Sequence, residues 1–146
     1  MTRSRQVTQL TDDLGFLLSR AGGMATAQVN RALAPLDLKV RSYSVLMLAC
    51  ENRTGVNQRG VAATLGLDPS QIVALVDDLE RRGLVERSAD PADRRNNLIA
   101  ATETGEALLH QAQTLVDTVH EHLFGDLPDS VMETLKATLR TVVAGH

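Results

Sequence analysis

Two adjacent arginines, Arg94 and Arg95, follow a carboxylate in the order Asp93-Arg94-Arg95, within a polar stretch of the chain. A guanidinium group is planar, always charged and rich in N–H donors, so its usual partners are carboxylates and phosphates. In the Asp93-x-Arg95 spacing, the carboxylate could grip the guanidinium and hold it extended into the narrow minor groove of DNA, where the potential is most negative. Arg94 is expected to contact phosphate or to pack back on its own hairpin. A solvated surface role is the alternative for Arg95.

A helix that begins beside Asp68 is the second place where side chains could meet a duplex. The order Asp68-Pro69-Ser70-Gln71 combines an N-cap, a proline at the first helical position and a glutamine that can complete a capping box. Apolar residues then recur on one face of the helix until Gly83 ends it. The first turns therefore present four candidate DNA-contacting residues: Pro69, Ser70, Gln71 and Ala74.

Only two of these four side chains can form hydrogen bonds. Ser70 and Gln71 can bond to bases or phosphates, although the capping role of Gln71 competes directly with a base contact. Val73 and Ala74 could touch a thymine methyl group but supply no hydrogen bond. We therefore expect sequence preference to depend largely on DNA shape and on the arginine-bearing loop.

The elements around these residues predict a helix, a tight turn, a second helix and a hairpin. A short helix spans 58–65 and turns at Gly66, before the helix capped by Asp68. Residues 84–88 and 98–101 predict two strands, and a polar loop with a basic tip joins them. This order describes a winged helix-turn-helix, a module that places its second helix in the DNA major groove.

The start of the short helix supplies three further candidates, Asn57, Gln58 and Arg59. Asn57 is the expected N-cap, and the backbone N–H groups behind it could meet a phosphate. Gln58 and Arg59 are expected to clamp the sugar-phosphate backbone. A plain exposed role explains Arg59 equally well.

Three stretches of sequence resemble a known family. DPADRR at 90–95, followed by TETG at 102–105, resembles the wing signature of the MarR (multiple antibiotic resistance regulator) family. LERRGLV at 79–85 resembles the end of that family's recognition helix. The likeness extends over nearly the whole chain, since a long helix precedes the module and two follow it. It implies that Arg95 is the minor-groove arginine and that the N- and C-terminal helices close a dimer.

The resemblance also implies a small aromatic or phenolic effector, held between the helical dimer region and the DNA module. Aromatic residues are scarce, and Phe16 and Tyr43 are the expected lining residues, with Arg20 beside them. Core packing explains Phe16 and Tyr43 equally well. The chain departs from the family pattern at Val73 and Ala74, where the family often carries a hydroxyl and an arginine.

Amphipathic helices flank the winged module on both sides. The first is expected from Leu10 to near Pro35, and the last two start near Glu103 and Pro128. Their apolar stripes need a partner, and a second copy of the chain would bring two wings to half-sites about one helical turn apart. The expected division is a helical dimerisation region, 1–36 and 103–146, around a DNA-binding domain, 37–102.

Composition and charge restrict the class of protein. The chain has 146 residues, 43% hydrophobic and 23% charged, which is typical of an ordinary folded protein. No apolar run approaches the roughly 20 residues that span a bilayer, and no secretory signal is evident, so we expect a cytoplasmic protein without a membrane partner. The net charge is −3, and acidic residues outnumber arginines in 57–97. We therefore expect modest DNA affinity that falls steeply with salt.

The single cysteine and three of the histidines suggest other chemistry. Cys50 could be a redox switch, as in the peroxide-sensing branch of the MarR family, but that branch uses a cysteine near the start of the first helix. A buried inert thiol is therefore expected. His110, His120 and His122 form no i,i+4 pair and no Cys/His cluster, so surface histidines are expected rather than a metal site. We expect no cofactor.

The expected fold is mainly α with a small β-hairpin wing: a winged helix-turn-helix with a helical dimerisation region. The expected function is a dimeric, sequence-specific DNA-binding transcription regulator, a ligand-responsive repressor on a pseudo-palindromic operator. The alternative is a winged-helix module that uses its wing and helix against protein, without DNA binding. An enzyme is not expected, because the sequence has no phosphate-cradling glycine loop, nucleophile elbow or HExxH motif.

Overall fold

The computed structural model describes residues 6–146, so residues 1–5 of the expected helical region 1–36 lie outside the described part. Its helices are α1 (Leu14–Leu33), α2 (Val40–Glu51), α3 (Gln58–Leu65), α4 (Pro69–Arg81), α5 (Glu103–Phe124) and α6 (Asp129–Ala144). Its strands are β1 (Val56–Asn57), β2 (Val85–Asp90) and β3 (Asp93–Ala101). They form one antiparallel sheet in the order β1-β3-β2, and the expected winged helix-turn-helix is confirmed.

The predicted helix signals are present. Asn57 accepts two backbone N–H hydrogen bonds at the start of α3, at 3.0 and 3.2 Å, and Thr102 accepts one at the start of α5, at 3.0 Å. Gly66 and Gly83 have left-handed φ angles of 64° and 72°, which reverse the chain after α3 and α4 at no steric cost. Local sequence therefore sets the ends of the helices in the DNA module.

The first helix begins later than expected. Leu10–Asp12 forms a short 3-10 segment, and Asp13 then caps α1 by accepting a hydrogen bond from the Phe16 N–H at 2.9 Å. The apolar pattern continues across this break, so periodicity alone could not locate the helix start.

One continuous hydrophobic core joins the winged module to α1 and α5. The second half of α1 and the first half of α5 pack on α2, which in turn contacts α4 and β3. Residues with no exposed surface are contributed by six elements and include Leu33, Leu46, Val61, Ile72, Val76, Leu79, Ile99 and Ala112. Because close-packed cores transmit displacement, the position of α4 is coupled to the positions of α1 and α5.

The wing strands are longer than expected. The sequence placed a polar loop at 90–97, but β2 continues to Asp90 and β3 resumes at Asp93, which leaves only Pro91 and Ala92 between them. Backbone pairing is interrupted at Arg94–Asn96 and is restored between Asp90 and Asp93, because an exposed hairpin can pair without apolar side chains on its solvent face. The basic side chains therefore project from strand rather than from a free loop.

The last helix and the start of the first carry uncovered apolar side chains. On α6, among the described residues, no side chain is buried, and Leu135, Val142 and Val143 are 39%, 57% and 69% exposed. On α1, Leu14 is 71% exposed. An apolar patch of this kind marks an interaction surface.

Candidate nucleic-acid interface

The recognition helix α4 has one buried face and one free face. Ile72, Val76 and Leu79 have no exposed surface and hold the helix on the core. The opposite face exposes all four residues predicted to touch DNA: Pro69, Ser70, Gln71 and Ala74. The geometry leaves them accessible to a duplex, and their contact with DNA stays a prediction.

The start of α4 uses Gln71 as a cap. The Asp68 N–H donates a hydrogen bond to Gln71 Oε1 at 3.2 Å, so the carbonyl oxygen of this side chain is already engaged. The capping role that competed with a base contact is therefore present. A base or phosphate contact by Gln71 would have to use its amide N–H groups, which donate and cannot accept.

The acidic residues of α4 all lie beside arginines. In the count of charges over 57–97, these acids argued against strong DNA binding, but each of them forms an ion pair inside the module. The pairs are Asp77–Arg87 at 2.7 Å, Asp78–Arg81 at 2.6 Å, Asp78–Arg82 at 3.8 Å and Glu80–Arg87 at 3.3 Å. Exposed pairs add little stability, but they offset the negative charge close to the helix and reduce its repulsion of phosphates.

Arg87 is a structural residue that the sequence analysis missed. From β2 its guanidinium donates to the Val73 carbonyl at 3.2 Å and to Gln58 Oε1 at 3.4 Å, besides its two carboxylate partners. It therefore ties the wing to α3 and α4 at once. Strand alternation in the sequence could have indicated this role, because it places Arg87 on the same inward face of β2 as the buried Val85.

The wing arginines are exposed, but their carboxylate neighbour has a different contact from the expected one. Asp93 Oδ1 accepts a hydrogen bond from the backbone N–H of Arg95 at 3.0 Å. Within residues 6–146, Asp93 forms no ion pair with the Arg95 guanidinium. Asp93 thus shapes the backbone that carries Arg95, and the guanidinium is left to meet another anion. Arg94 is exposed as well.

Gln58 and Arg59, the two residues at the start of α3 that were predicted to clamp the sugar-phosphate backbone, are partly and fully accessible, respectively. Arg59 is exposed, whereas Gln58 is half-buried and its carbonyl oxygen accepts from Arg87. Gln58 therefore has only its amide N–H groups for a phosphate. Asn57 is committed to capping and to side-chain contacts with the wing, so its predicted part in DNA contact falls to the backbone N–H groups behind it.

The end of α4 is anchored to both flanking helices. The Arg82 guanidinium donates to the carbonyls of Leu36 at 3.0 Å and Asp37 at 2.8 Å, in the connector after α1. Thr102, which caps α5, donates through its hydroxyl to the Gly83 carbonyl at 2.6 Å. A change in the angle of α1 or α5 would therefore reach the recognition helix directly.

Comparison with known proteins agrees with this geometry. A sequence model described as MarR family matches residues 36–96. A MarR-family transcriptional regulator from Rhodococcus sp. RHA1 is 57% identical, superposes with a TM-score of 0.90, and is matched over 96% of this chain and 99% of that one. The chain belongs to the MarR family.

Two solved structures of proteins named CouR are also similar to this MarR-family chain. CouR from Rhodococcus jostii RHA1, solved with p-coumaroyl-CoA bound, is 59% identical over 94% of this chain and 96% of that one, with a TM-score of 0.88. A transcriptional repressor CouR bound to a 23-mer DNA duplex is 34% identical over 96% and 99%, with a TM-score of 0.80. The expected family and the mainly α winged-helix fold are thus confirmed.

A cleft of about 990 Å³ lies between α1, α2 and α4 of this MarR-family chain. Thr26 and Asn30 line it from α1, Lys39 and Arg41 from around the start of α2, and α4 closes it with several residues including Ala74. Phe16, Arg20 and Tyr43, the residues expected to line an effector pocket, do not line this cleft. Tyr43 is buried in the core, and burial, followed by the nearby Asp117 carboxylate, raises the pKa of its hydroxyl.

Cys50 is expected to react slowly. The thiol is half-buried in α2, and burial, followed by the Glu106 carboxylate, raises its pKa above the ordinary value. Because the thiolate is the nucleophile, a raised pKa lowers the reactive fraction at neutral pH. Iodoacetamide labelling near neutral pH should therefore be slower than for a free cysteine, and peroxide should leave DNA affinity unchanged in the parent and in Cys50→Ser alike. Rapid labelling together with loss of binding on oxidation, absent from Cys50→Ser, would contradict an inert thiol.

The histidines and the helices add no further site. His110, His120 and His122 are exposed on α5, and residues 6–146 contain no group of three or more potential metal ligands. Within the same residues, no helix combines the length and the apolar composition that crossing a bilayer requires.

Proposed function

We propose that this MarR-family chain acts in the cytoplasm as a homodimeric, ligand-responsive repressor that binds a pseudo-palindromic operator and catalyses no reaction. The observation that carries this proposal is the position of the exposed face of α4 beside an exposed pair of wing arginines. The first element suits the major groove and the second suits the adjacent minor groove. The structure of the repressor CouR bound to a 23-mer DNA duplex supports DNA binding by a chain of this fold.

The dimer is formed by the helices outside the DNA-binding domain. We assign 1–36 and 103–146 to dimerisation and 37–102 to DNA binding, although the two regions share one core. The support is the uncovered apolar surface of α6 and of the start of α1, which a second copy would bury. Two copies related by a two-fold axis would present two recognition helices to successive major grooves.

The effector is an aromatic acyl-CoA thioester, by analogy with the p-coumaroyl-CoA bound to CouR from Rhodococcus jostii. The cleft between α1, α2 and α4 has the volume for a ligand of this class. Lys39 and Arg41 supply cations for its phosphates; of the two acids in the lining, Asp37 and Asp78, the second is paired with Arg81 and Arg82. Because α4 forms one wall of the cleft, a ligand there can bind one position of the recognition helix better than another. Phe16, Arg20 and Tyr43 lie outside the lining of this cleft, so they are candidates only for an end of the ligand that extends beyond it.

DNA binding is tested by selecting bound sequences from a random duplex pool and then titrating the selected duplex by fluorescence anisotropy. The expected result is a two-fold-symmetric consensus and an affinity that falls steeply between low and moderate salt. A random duplex should show the same salt dependence at lower affinity. If neither duplex binds at low salt, the regulator proposal fails, and the alternative of a protein-binding winged helix is favoured.

The effector is tested by adding p-coumaroyl-CoA to the preformed operator complex, with p-coumarate and coenzyme A as separate controls. Release by the thioester alone is expected, since each control supplies only one end of the ligand. Lys39→Ala should raise the concentration needed for half-release about 10-fold, because it removes one charged contact. Arg53→Ala is the control, because Arg53 is an exposed cation after α2 that does not line the cleft. Equal release by all three compounds, or none by the thioester, would refute this effector.

A further inference from the structure

The wing contains an irregularity at the point where its arginines lie. In the β2–β3 ladder, Ala89 pairs with Asn97, but the next residue of β2, Asp90, pairs with Asp93. Arg94, Arg95 and Asn96 are therefore left without partners on β2 and form a bulge in β3. A bulge bends its strand and re-aims its side chains, so the direction of the arginines depends on what holds this segment.

Asn96 is the inward-facing residue of the bulge. Arg94 and Arg95 are exposed, whereas only 7% of Asn96 is accessible. Its amide nitrogen Nδ2 donates a hydrogen bond of 2.6 Å to Asn57 Oδ1, at the start of α3. Because a buried amide costs free energy unless it is bonded, this contact restricts Asn96 to one position.

Asp90 forms a second connection between the wing and the same asparagine. Asn57 Nδ2 donates to Asp90 Oδ2 at 3.1 Å, and the other carboxylate oxygen accepts from the Ala92 N–H at 2.9 Å, inside the hairpin turn. Asp90 is only 9% exposed. Asn57, which belongs to the helix-turn-helix, is thus bonded both to Asn96 in the bulge and to Asp90 on the facing strand.

We propose that Asn57, Asp90 and Asn96 form a wing latch, which sets the position of Arg94 and Arg95 relative to the recognition helix. None of the three needs to touch DNA for this role; they are positioning residues. The proposal rests on the proposed DNA-binding function, since the wing must reach the minor groove while α4 occupies the major groove. A binding constellation must be held within about 0.5 Å of its productive geometry, and the bulged residues have no partners on β2 to hold them there.

The latch can be broken without removing the helix cap. Asn57 uses Oδ1 to cap α3 and to accept from Asn96, and uses Nδ2 only to donate to Asp90. Asn57→Asp keeps an oxygen for the cap, and aspartate is an equally good cap residue. However, it replaces the donor with a second carboxylate oxygen facing Asp90, so two negative charges oppose each other. Adding Asp90→Asn restores a donor and an acceptor across the contact and returns the net charge to that of the parent.

The experiment compares operator affinity across these variants. Asn57→Asp should weaken binding about 10-fold, and Asn57→Asp with Asp90→Asn should return to within about two-fold of the parent, as expected when one charged hydrogen bond is lost and then replaced. Ser88→Asp and Ser88→Asp with Asp90→Asn are the charge-matched controls, because Ser88 is exposed on β2 and takes no part in the side-chain hydrogen bonds of the three residues. Adding Asp90→Asn to Ser88→Asp should not restore operator affinity as it does for Asn57→Asp.

Two further measurements separate positioning from general stability and from the proposed function. In an Arg95→Ala background, Asn57→Asp should cause less than about two-fold further loss, because non-additivity is expected when one residue acts through another. Amide hydrogen exchange of 89–97 in the free protein should accelerate in Asn57→Asp and recover in the double variant, whatever the protein binds. Unchanged exchange, or a loss of affinity that the double variant does not reverse, would overturn the latch. A parent protein that binds no duplex would overturn the function, and the exchange data would still decide the latch.

Discussion

An Arg95→Ala variant is expected to bind every operator sequence about 10- to 100-fold more weakly than the parent, with little change in fold stability. The side chain is exposed at the wing and its nearest acid, Asp93, contacts its backbone rather than its guanidinium. Removing it costs the fold no buried contact but removes one cation from the minor groove. Anisotropy titrations at several salt concentrations measure the loss of affinity. The slope of log affinity against log salt concentration should become shallower by about one.

Arg81→Ala is the matched control for this experiment. Arg81 is also an exposed arginine of the DNA module, but it lies in the last turn of α4 and pairs with Asp78 at 2.6 Å. Its loss should change operator affinity by less than about three-fold, since an exposed ion pair contributes at most about 1 kcal/mol. If Arg95→Ala binds as well as Arg81→Ala at moderate salt, the assignment of the wing to the minor groove is wrong.

The largest effect on stability is expected from Gly105→Ala. Gly105 lies in the first turn of α5, where an added Cβ would sit 2.0 Å from the Leu84 carbonyl oxygen and 3.3 Å from Leu46 Cδ1. A backbone atom cannot move aside as a flexible side chain can, so α5 would have to shift away from the exit of α4. We expect the free energy of unfolding to fall by about 3 kcal/mol, at the upper end for overpacking. Thermal denaturation should show a decrease in Tm of about 10 °C.

Gly60→Ala provides the comparison for this substitution. Gly60 also lies in the first turn of a helix, α3, but its added Cβ would meet nothing closer than Asn57 Cβ at 4.0 Å. Alanine favours helix over glycine by up to about 1 kcal/mol, so stability should be unchanged or higher. Equal stability of the Gly105→Ala and Gly60→Ala proteins would show that α5 is not closely packed on the end of the recognition helix.

Much of the fold could be predicted because short stretches of sequence decide it. Asp68, Pro69 and Gln71 start α4, and Gly83 ends it, through hydrogen bonds and backbone angles within one turn of each residue. The same is true of Thr102 at α5. Apolar periodicity then identified Ile72, Val76 and Leu79 as the buried face, since burial follows the helical repeat.

The orientation of the wing could not be predicted in this way. Nothing in the order of residues shows that β3 bulges at Arg94–Asn96, because strand pairing depends on which residues of two segments meet. The expected grip of Asp93 on the Arg95 guanidinium was wrong in detail for the same reason. A carboxylate two residues away can bond to the backbone or to the side chain, and the bulge favoured the backbone.

By itself, then, the sequence determined α3 and α4, the caps of α3, α4 and α5, the buried face of α4 and the residues offered to a duplex. These features arise from interactions between near neighbours, whose geometry is set by covalent spacing. Only the tertiary structure decided the contacts between distant residues: Arg87 across α3 and α4, Arg82 on the connector after α1, and Asn57 with Asp90 and Asn96. Those contacts depend on how close the whole fold brings residues that are 14 to 45 positions apart in the chain, which no local pattern records.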